Sequence, residues 1–331
     1  MLRKPTALGE YASLLLIWLG LLLLFGALGE HFLSRETFSA LANRVPTLTV
    51  VATGMTLVLV VGGIDLSVGS VLGLSGALVG VAMVEWHWPL WAAAGLSLGC
   101  GLAAGLLNGC ISVLLGIPSF IVTLGMLEVA RGLAFLSSHS QTKYIGGTVT
   151  SLSEPIHSLG ISPAFILTAI TVAVGQLTLS LTAFGREVIA IGSNQEAARL
   201  AGINPARAKI TVFAMLGLLT GLGAVFYTSR LGSSDPNAGV GMELSAIAAV
   251  VIGGTSLLGG RGSVAKTFLG VLLIATLEAG LAQVGASEPV KRVITGVVIV
   301  IAVVFDAWRN DSAKRKFSWL KRLVAGPHKM L

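Results

Sequence analysis

An all-α, polytopic membrane protein of about ten transmembrane helices is the fold class this sequence predicts, on three observations. Of its 331 residues only 11% are charged and 54% are hydrophobic, with a mean hydropathy of +0.88, far from the composition of a soluble globular domain. Apolar runs of roughly 20 residues, enough to cross a hydrocarbon core of about 30 Å, recur from one end to the other. Lysine and arginine concentrate on alternate connections between those runs. Such a chain leaves no length for a soluble catalytic domain.

The runs, bounded by charge, proline or glycine clusters, are 11–28, 45–63, 66–84, 90–115, 119–136, 162–183, 210–229, 244–258, 264–282 and 292–308. The first has a basic start and a long apolar core without a small-residue cleavage site, and is expected to be a retained helix rather than a removed signal peptide. One transmembrane domain therefore covers 1–310, with a polar loop at 185–209 and a basic tail at 311–331. In that tail Phe317, Leu320, Leu323 and Val324 recur at helical spacing among lysines and arginines, a pattern suited to an anionic lipid surface.

An even number of spans places both termini on one side. That side carries 15 of the 22 basic residues, including Arg186, Arg199, Arg207 and Lys209 of the polar loop, so the positive-inside rule makes both termini and this loop cytoplasmic. The aromatic connection holding Trp86, Trp88 and Trp91 falls on the outer face, where indoles suit the headgroup zone. Topology thus accounts for the net charge of +7, and no basic stripe interleaved with aromatics points to nucleic acid.

Signatures of chemistry are missing. Cys100 and Cys110 share one apolar run, where they act as small hydrophobes, and the five histidines are scattered, so neither disulfide nor metal site is indicated. Gly254–Arg261 has the glycine spacing of a phosphate-binding loop but an arginine where its lysine belongs. No Ser-His-Asp order, HExxH or paired carboxylates occur, so no residue is assigned as catalytic and the chain is read as making and breaking no bonds.

Small residues spaced four apart, at Gly69/Gly73, Gly76/Gly80, Gly101/Gly105/Gly109 and Gly217/Gly221, predict close helix packing. VVGGIDLSVGSV at 60–71 resembles VIGGTSLLGGRGSV at 251–264, and Asn108 followed by Ile117 echoes Asn194 followed by Ile203, which suggests duplicated halves. Polar groups within or between spans are few. Asp65, beside Ser67, is placed to cap the helix starting near Leu66 or to meet a solute. Glu128 and Arg131 are spaced to pair on one helix face, and Glu278 has no local partner. Asp65, Ser67, Asn108 and Glu278 are the candidates for a pathway or gate, and with neutral Gln176 and Gln283 they suit an uncharged, hydroxylated solute more than a proton relay.

The polar loop GREVIAIGSNQEAARLAGINPARAK is the longest charged interruption, with a helix expected from about Asn194 to Ala201 and ended by Gly202 and Pro205. GGIDLSVGS, the Asn108–Met126 segment ending GIPSFIVTLGM, the GSNQEAARLAGI core at 192–203 and VIGGTSLLGGRGS together resemble the permease subunits of bacterial sugar ABC importers, especially the ribose and xylose group, over roughly residues 40–305. The resemblance implies a permease of the bacterial cytoplasmic membrane that carries a monosaccharide, ribose foremost. It also implies a second permease copy, identical or different, cytoplasmic ATPase subunits that bind the ATP, and a periplasmic sugar-binding protein. Asn194, Glu196, Ala197, Ala198, Arg199, Leu200, Gly202 and Ile203 then match the family's ATPase-coupling helix. Two rivals remain: a branched-chain amino-acid importer permease, and an ion-coupled secondary transporter, which needs carboxylate sites in broken helices beyond Asp65 and Glu278.

Overall fold

The structure, a computed structural model, describes residues 7–29, 31–156 and 160–309. Ten helices fall on the ten expected spans: α1 (Ala7–Leu28), α2 (Arg35–Val60), α3 (Val68–Val84), α4 (Leu90–Leu114), α5 (Ser119–Ser138), α7 (Pro163–Leu181), α10 (Pro205–Leu231), α11 (Met242–Ile252), α12 (Val264–Gln283) and α13 (Glu288–Arg309). Short α6 (Gly147–Thr150), α8 (Ala183–Ser193) and α9 (Gln195–Leu200) lie in connections, and a two-residue ladder pairs β1 (Lys143–Tyr144) antiparallel with β2 (Ser233–Ser234). Seven of the helices are long and apolar enough to cross a membrane. The basic tail expected at 311–331 lies outside the described residues.

Helix starts are fixed where the sequence supplies an oxygen for the free amides. Ser162, Asn204 and Ser263 accept from the amides of Phe165, Arg207 and Lys266, and proline follows the first two at a position that needs no donor. The ends of the described helices agree with alternating spans. Tyr11, Gln176 and Ser263 meet at one end, with Ser263 Oγ donating to Gln176 Oε1 at 3.1 Å, while Arg44, Glu85, Lys143 and Glu278 lie at the other. There Lys143 Nζ bonds Glu85 Oε1 at 2.8 Å, a hydrogen bond that holds the Glu85 carboxyl below the usual carboxylate range.

The core forms around α2, whose apolar window is 83% buried, whereas that of α1 is only 6% buried and faces outward. Val50, Met55, Phe213 and Leu216 are among its fully enclosed side chains. Glycine makes the tightest helix pair, α4 against α10. A Cβ added to Gly101 would overlap the Gly217 carbonyl and stand 2.8 Å from the Gly221 amide, and one added to Gly217 would stand 2.9 Å from the Gly105 Cα. The absent side chains let the backbones touch, and Ser97 Oγ donates to the Gly221 carbonyl across the seam at 2.8 Å.

Of the α3 glycines Gly76 faces α10 at Thr228, whereas Gly69, Gly73 and Gly80 meet a non-helical segment in place of the neighbouring helix the spacing predicts. After α10 the chain runs back as residues 232–241 along α3, so that Ser234 Oγ donates to the Gly76 carbonyl at 2.7 Å and a Cβ on Gly73 would lie 2.8 Å from the Ala238 carbonyl. This segment, a two-residue strand followed by turns, leads into the eighth span. Expected at 244–258, the span contains a helix of only 11 residues, α11, because Gly253 and Gly254 end it and the chain then turns until Ser263. The third span likewise starts late, at Val68 rather than 66, after a non-helical stretch at 61–67.

The α4–α10 seam gives a first prediction. Gly101→Leu should lower the detergent melting temperature and the yield of folded protein, since overpacking a tight contact costs about 1–3 kcal/mol. Gly99→Leu, on the same helix with open space around it, should leave both unchanged.

Candidate functional site

At the end of the bundle that carries α8 and α9 three chain segments cross. The Gly260 amide donates to the Val60 carbonyl at 2.9 Å, tying the end of α2 to the connection between α11 and α12. Gly192, near the end of α8, lies against both: a Cβ there would overlap the Val60 carbonyl and stand 2.5 Å from the Gly260 nitrogen. Gly259 and Gly260 have φ of +85° and +78°, a region where a side chain is strained. The two GG-containing echoes both follow a helix end with a glycine turn, but the second adds a further turn at 257–260 before its next helix. The asparagine echo has no such counterpart: Asn108 is buried inside α4, whereas Asn194 is an exposed cap.

From this crossing α8 leads directly into α9. Asn194 Oδ1 accepts from the Ala197 amide at 3.0 Å, and Gly202, with φ of +85°, ends the turn. A helix of six residues is too short to persist alone. Ala198, 4% exposed, and the partly buried Ile203 pin it to the core. The expected coupling residues therefore divide: Ala198 and Ile203 face inward, while Asn194, Glu196, Ala197, Arg199, Leu200 and Gly202 face out. Leu200 is 81% exposed, and Arg199 Nη2 bonds Glu196 Oε1 at 2.6 Å beside it. Lys209 Nζ donates to Gln195 Oε1 at 2.6 Å, joining α9 to the first turn of α10.

Three of the pathway candidates converge. Asp65 Oδ1 accepts from the Ser67 amide at 2.8 Å and from Ser67 Oγ at 2.6 Å, while Asn108 Nδ2 donates to Asp65 Oδ2 at 3.2 Å and to Ser67 Oγ at 3.0 Å. Asp65 closes a local turn ahead of α3; it does not cap the helix itself, whose cap residue is Ser67. All three are at most 2% exposed, so this cluster is closed off in the present conformation. The neighbouring amides of Ile64 and Leu66 donate to Ser119 Oγ and Thr123 Oγ1 of α5, at 3.0 and 3.1 Å.

Glu278 is elsewhere. It has a partner that local sequence does not reveal, Arg44 of α2, at 2.8 Å. The pair lies on the wall of a cavity of about 500 Å³ between α2, α10, α11, α12 and α13. Tyr227 and Arg230 line it too, with the guanidinium 5.4 Å from the ring centre, and Lys291 and Arg292 flank it. Nor do Glu128 and Arg131 pair within 4 Å among the described residues. Arg131 Nη1 instead donates to the carbonyls of Pro236 and Ala238, at 2.6 and 3.0 Å, and so holds the 232–241 segment in place. Neither the pairing of Arg44 nor the packing of Gly192 is signalled by local sequence, since neither partner is near in the chain.

Residues 37–303 match the profile of a family described as branched-chain amino acid transport system / permease component. The ribose import permease protein of Bacillus subtilis is 38% identical over 297 residues, covering 88% of this chain and 91% of that protein. The L-arabinose ABC transporter permease protein of Azospirillum brasilense is 34% identical, covering 88% and 87%. The fructose import permease protein of Rhizobium meliloti is also 34% identical, covering 87% and 82%. No solved structure matches significantly.

Replacing Asn108 tests the buried cluster. Asn108→Ala removes two donors from enclosed oxygens and should cost about 1–3 kcal/mol, read as a lower melting temperature. Combined with Asp65→Asn, the loss should be smaller than the sum of the single losses, because the two side chains share one bond.

Proposed function

The chain belongs to the family of ABC transport permease components, and from that premise we propose that it is the membrane-spanning subunit of an ATP-driven importer of a monosaccharide, ribose foremost. It is a transport subunit of the inner membrane rather than an enzyme. The names of the three relatives favour a sugar over a branched-chain amino acid, although the family as a whole is described by the latter. On this reading a partner ATPase binds and hydrolyses the ATP, a periplasmic sugar-binding protein delivers the solute, and a second permease copy completes the pathway.

The observation that carries the mechanism is the attachment of α9. Its exposed face, with Leu200 between charged neighbours, is a contact for the ATPase, and its buried face is fixed to the core by Ala198 and Ile203. Just ahead of it, Gly192 is wedged between Val60 and Gly260, where the two broken connections meet. A push on α9 therefore reaches both breaks through backbone contact, with no flexible side chain in between. Packed interfaces of this kind shift between discrete arrangements rather than deform continuously. Asp65 and Ser67, within the first break, and Asn108 of α4 against them form the gate of this scheme. Glu278 and Arg44 belong to the outward cavity, whose charged and aromatic lining suits a polyhydroxylated solute.

In vesicles, uptake should require ATP, the ATPase and the binding protein together; uptake by this chain alone on a proton or sodium gradient would overturn the assignment. Arg199→Glu should leave the protein inserted yet separate ATP hydrolysis from uptake. The exposed pair it breaks is worth only about 0.2–0.5 kcal/mol, so unfolding cannot account for the loss. Gly202→Val should act similarly, because a β-branched residue is strained at positive φ. Persistence of transport and of ATPase stimulation in both variants would remove the docking role.

A further inference from the structure

Glu128 is an ionisable residue in the middle of a membrane-length helix, on an exposed face. It is the tenth of the 20 residues of α5, so it stands about 14 Å along an axis of about 30 Å. Thr123, Ala130, Ala134 and Ser138 make the buried side of α5, and Glu128 lies on the opposite side, exposed. No hydrogen bond and no ion pair within 4 Å engages it among the described residues, and the Arg131 guanidinium acts on it only through space. Arg131, one turn on, is committed to the carbonyls of Pro236 and Ala238.

A carboxylate held at this depth against lipid tails costs several kcal/mol, and such residues face a bundle interior or a water-filled cavity. Glu128 is exposed on the single chain and not enclosed in its bundle, which leaves the second case. Gly125 and Gly132, one turn to either side, have nothing within 4 Å of the position a Cβ would take and leave room for a solute beside the carboxylate, while Leu124, Val129 and Leu133 present apolar surface around it. Two carboxylate oxygens accept from two adjacent hydroxyl groups, a geometry suited to a vicinal diol.

We propose that the Glu128 face of α5 lines the aqueous pathway, and that Glu128 accepts hydrogen bonds from the hydroxyls of a neutral, polyhydroxylated solute in transit. This deepens the importer reading and rests on it. The contact is brief and low in affinity, because a solute held tightly at mid-membrane would not leave. A carboxylate there also disfavours anionic solutes.

The test is made in the reconstituted complex, with Cys100 and Cys110 replaced by alanine and Glu128→Cys introduced. An impermeant, charged thiol reagent should modify the new cysteine, and saturating ribose with the loaded binding protein should slow the reaction severalfold. In the native-cysteine protein, Glu128→Gln should cut maximal ribose uptake about tenfold while the variant still copurifies with its ATPase. Glu128→Asp should recover part of the loss, which a merely structural role would not require. A cysteine that stays unmodified in a complex whose unmutated form imports ribose would place Glu128 against lipid or a dry interface and overturn the proposal alone. Uptake unchanged in Glu128→Gln would do the same. Failure of the unmutated complex to import any of ribose, arabinose or fructose would instead overturn the importer reading.

Discussion

Within a hydrocarbon layer no water is available for the backbone, so every peptide group outside a helix must find its partner in the protein. Three of its non-helical connections, 61–67, 232–241 and 253–263, are folded back on the bundle and find such partners there. Ser119 and Thr123 take the amides of Ile64 and Leu66. Arg131 supplies donors to Pro236 and Ala238. Val60 takes the Gly260 amide. Part of the sparse polarity of this chain is thus engaged by backbone groups that no helix satisfies.

The same constraint explains where glycine is indispensable. At the crossing of residues 60, 192 and 260 a peptide group must meet another peptide group, and any Cβ on Gly192 would occupy the space of the hydrogen bond itself. The resulting contact is short and stiff. A side-chain contact absorbs displacement by changing rotamer; a backbone contact passes it on. Since α9 is tethered to this point through α8, docking energy at α9 is delivered to the two connections that interrupt the membrane helices.

Much of this was legible in the sequence, and the exceptions share a cause. The ten spans and their order follow from hydropathy, which reports burial in lipid regardless of partners. The capped turn of α9 was legible as well, because Asn194 and Gly202 act on residues three or four away. Missed were the truncation of the eighth span at Ile252 and the return of 232–241 along α3, since a stretch as apolar as Ala248–Ile252 continues into glycines that read equally as span or turn. The same limit applies to charge. Local spacing suggests Glu128 with Arg131 and leaves Glu278 alone, yet Arg131 is taken by residues more than 100 positions away and Glu278 by Arg44 across 234. Spacing along one helix sets what two side chains can do; competition from other elements sets what they do.

That competition also separates the acidic residues by role. Asp65 has its oxygens occupied by Ser67 and Asn108 and is shut from solvent, so it serves the architecture for as long as the break at 61–67 keeps this shape. Exchange with a solute there demands that the break reopen. Glu278 is held by Arg44 but borders a cavity, so its pair can be solvated and remade without moving backbone. Glu128 is exposed and, among the described residues, has no ion pair within 4 Å. Ordered this way, the three carboxylates offer a moving solute progressively more: a closed contact that needs a conformational change, a shared contact that needs an ion pair to loosen, and a free one. A permease that must bind weakly and release requires the free kind at mid-membrane, and α5 can display one because its Arg131 has been drawn away to hold the 232–241 segment.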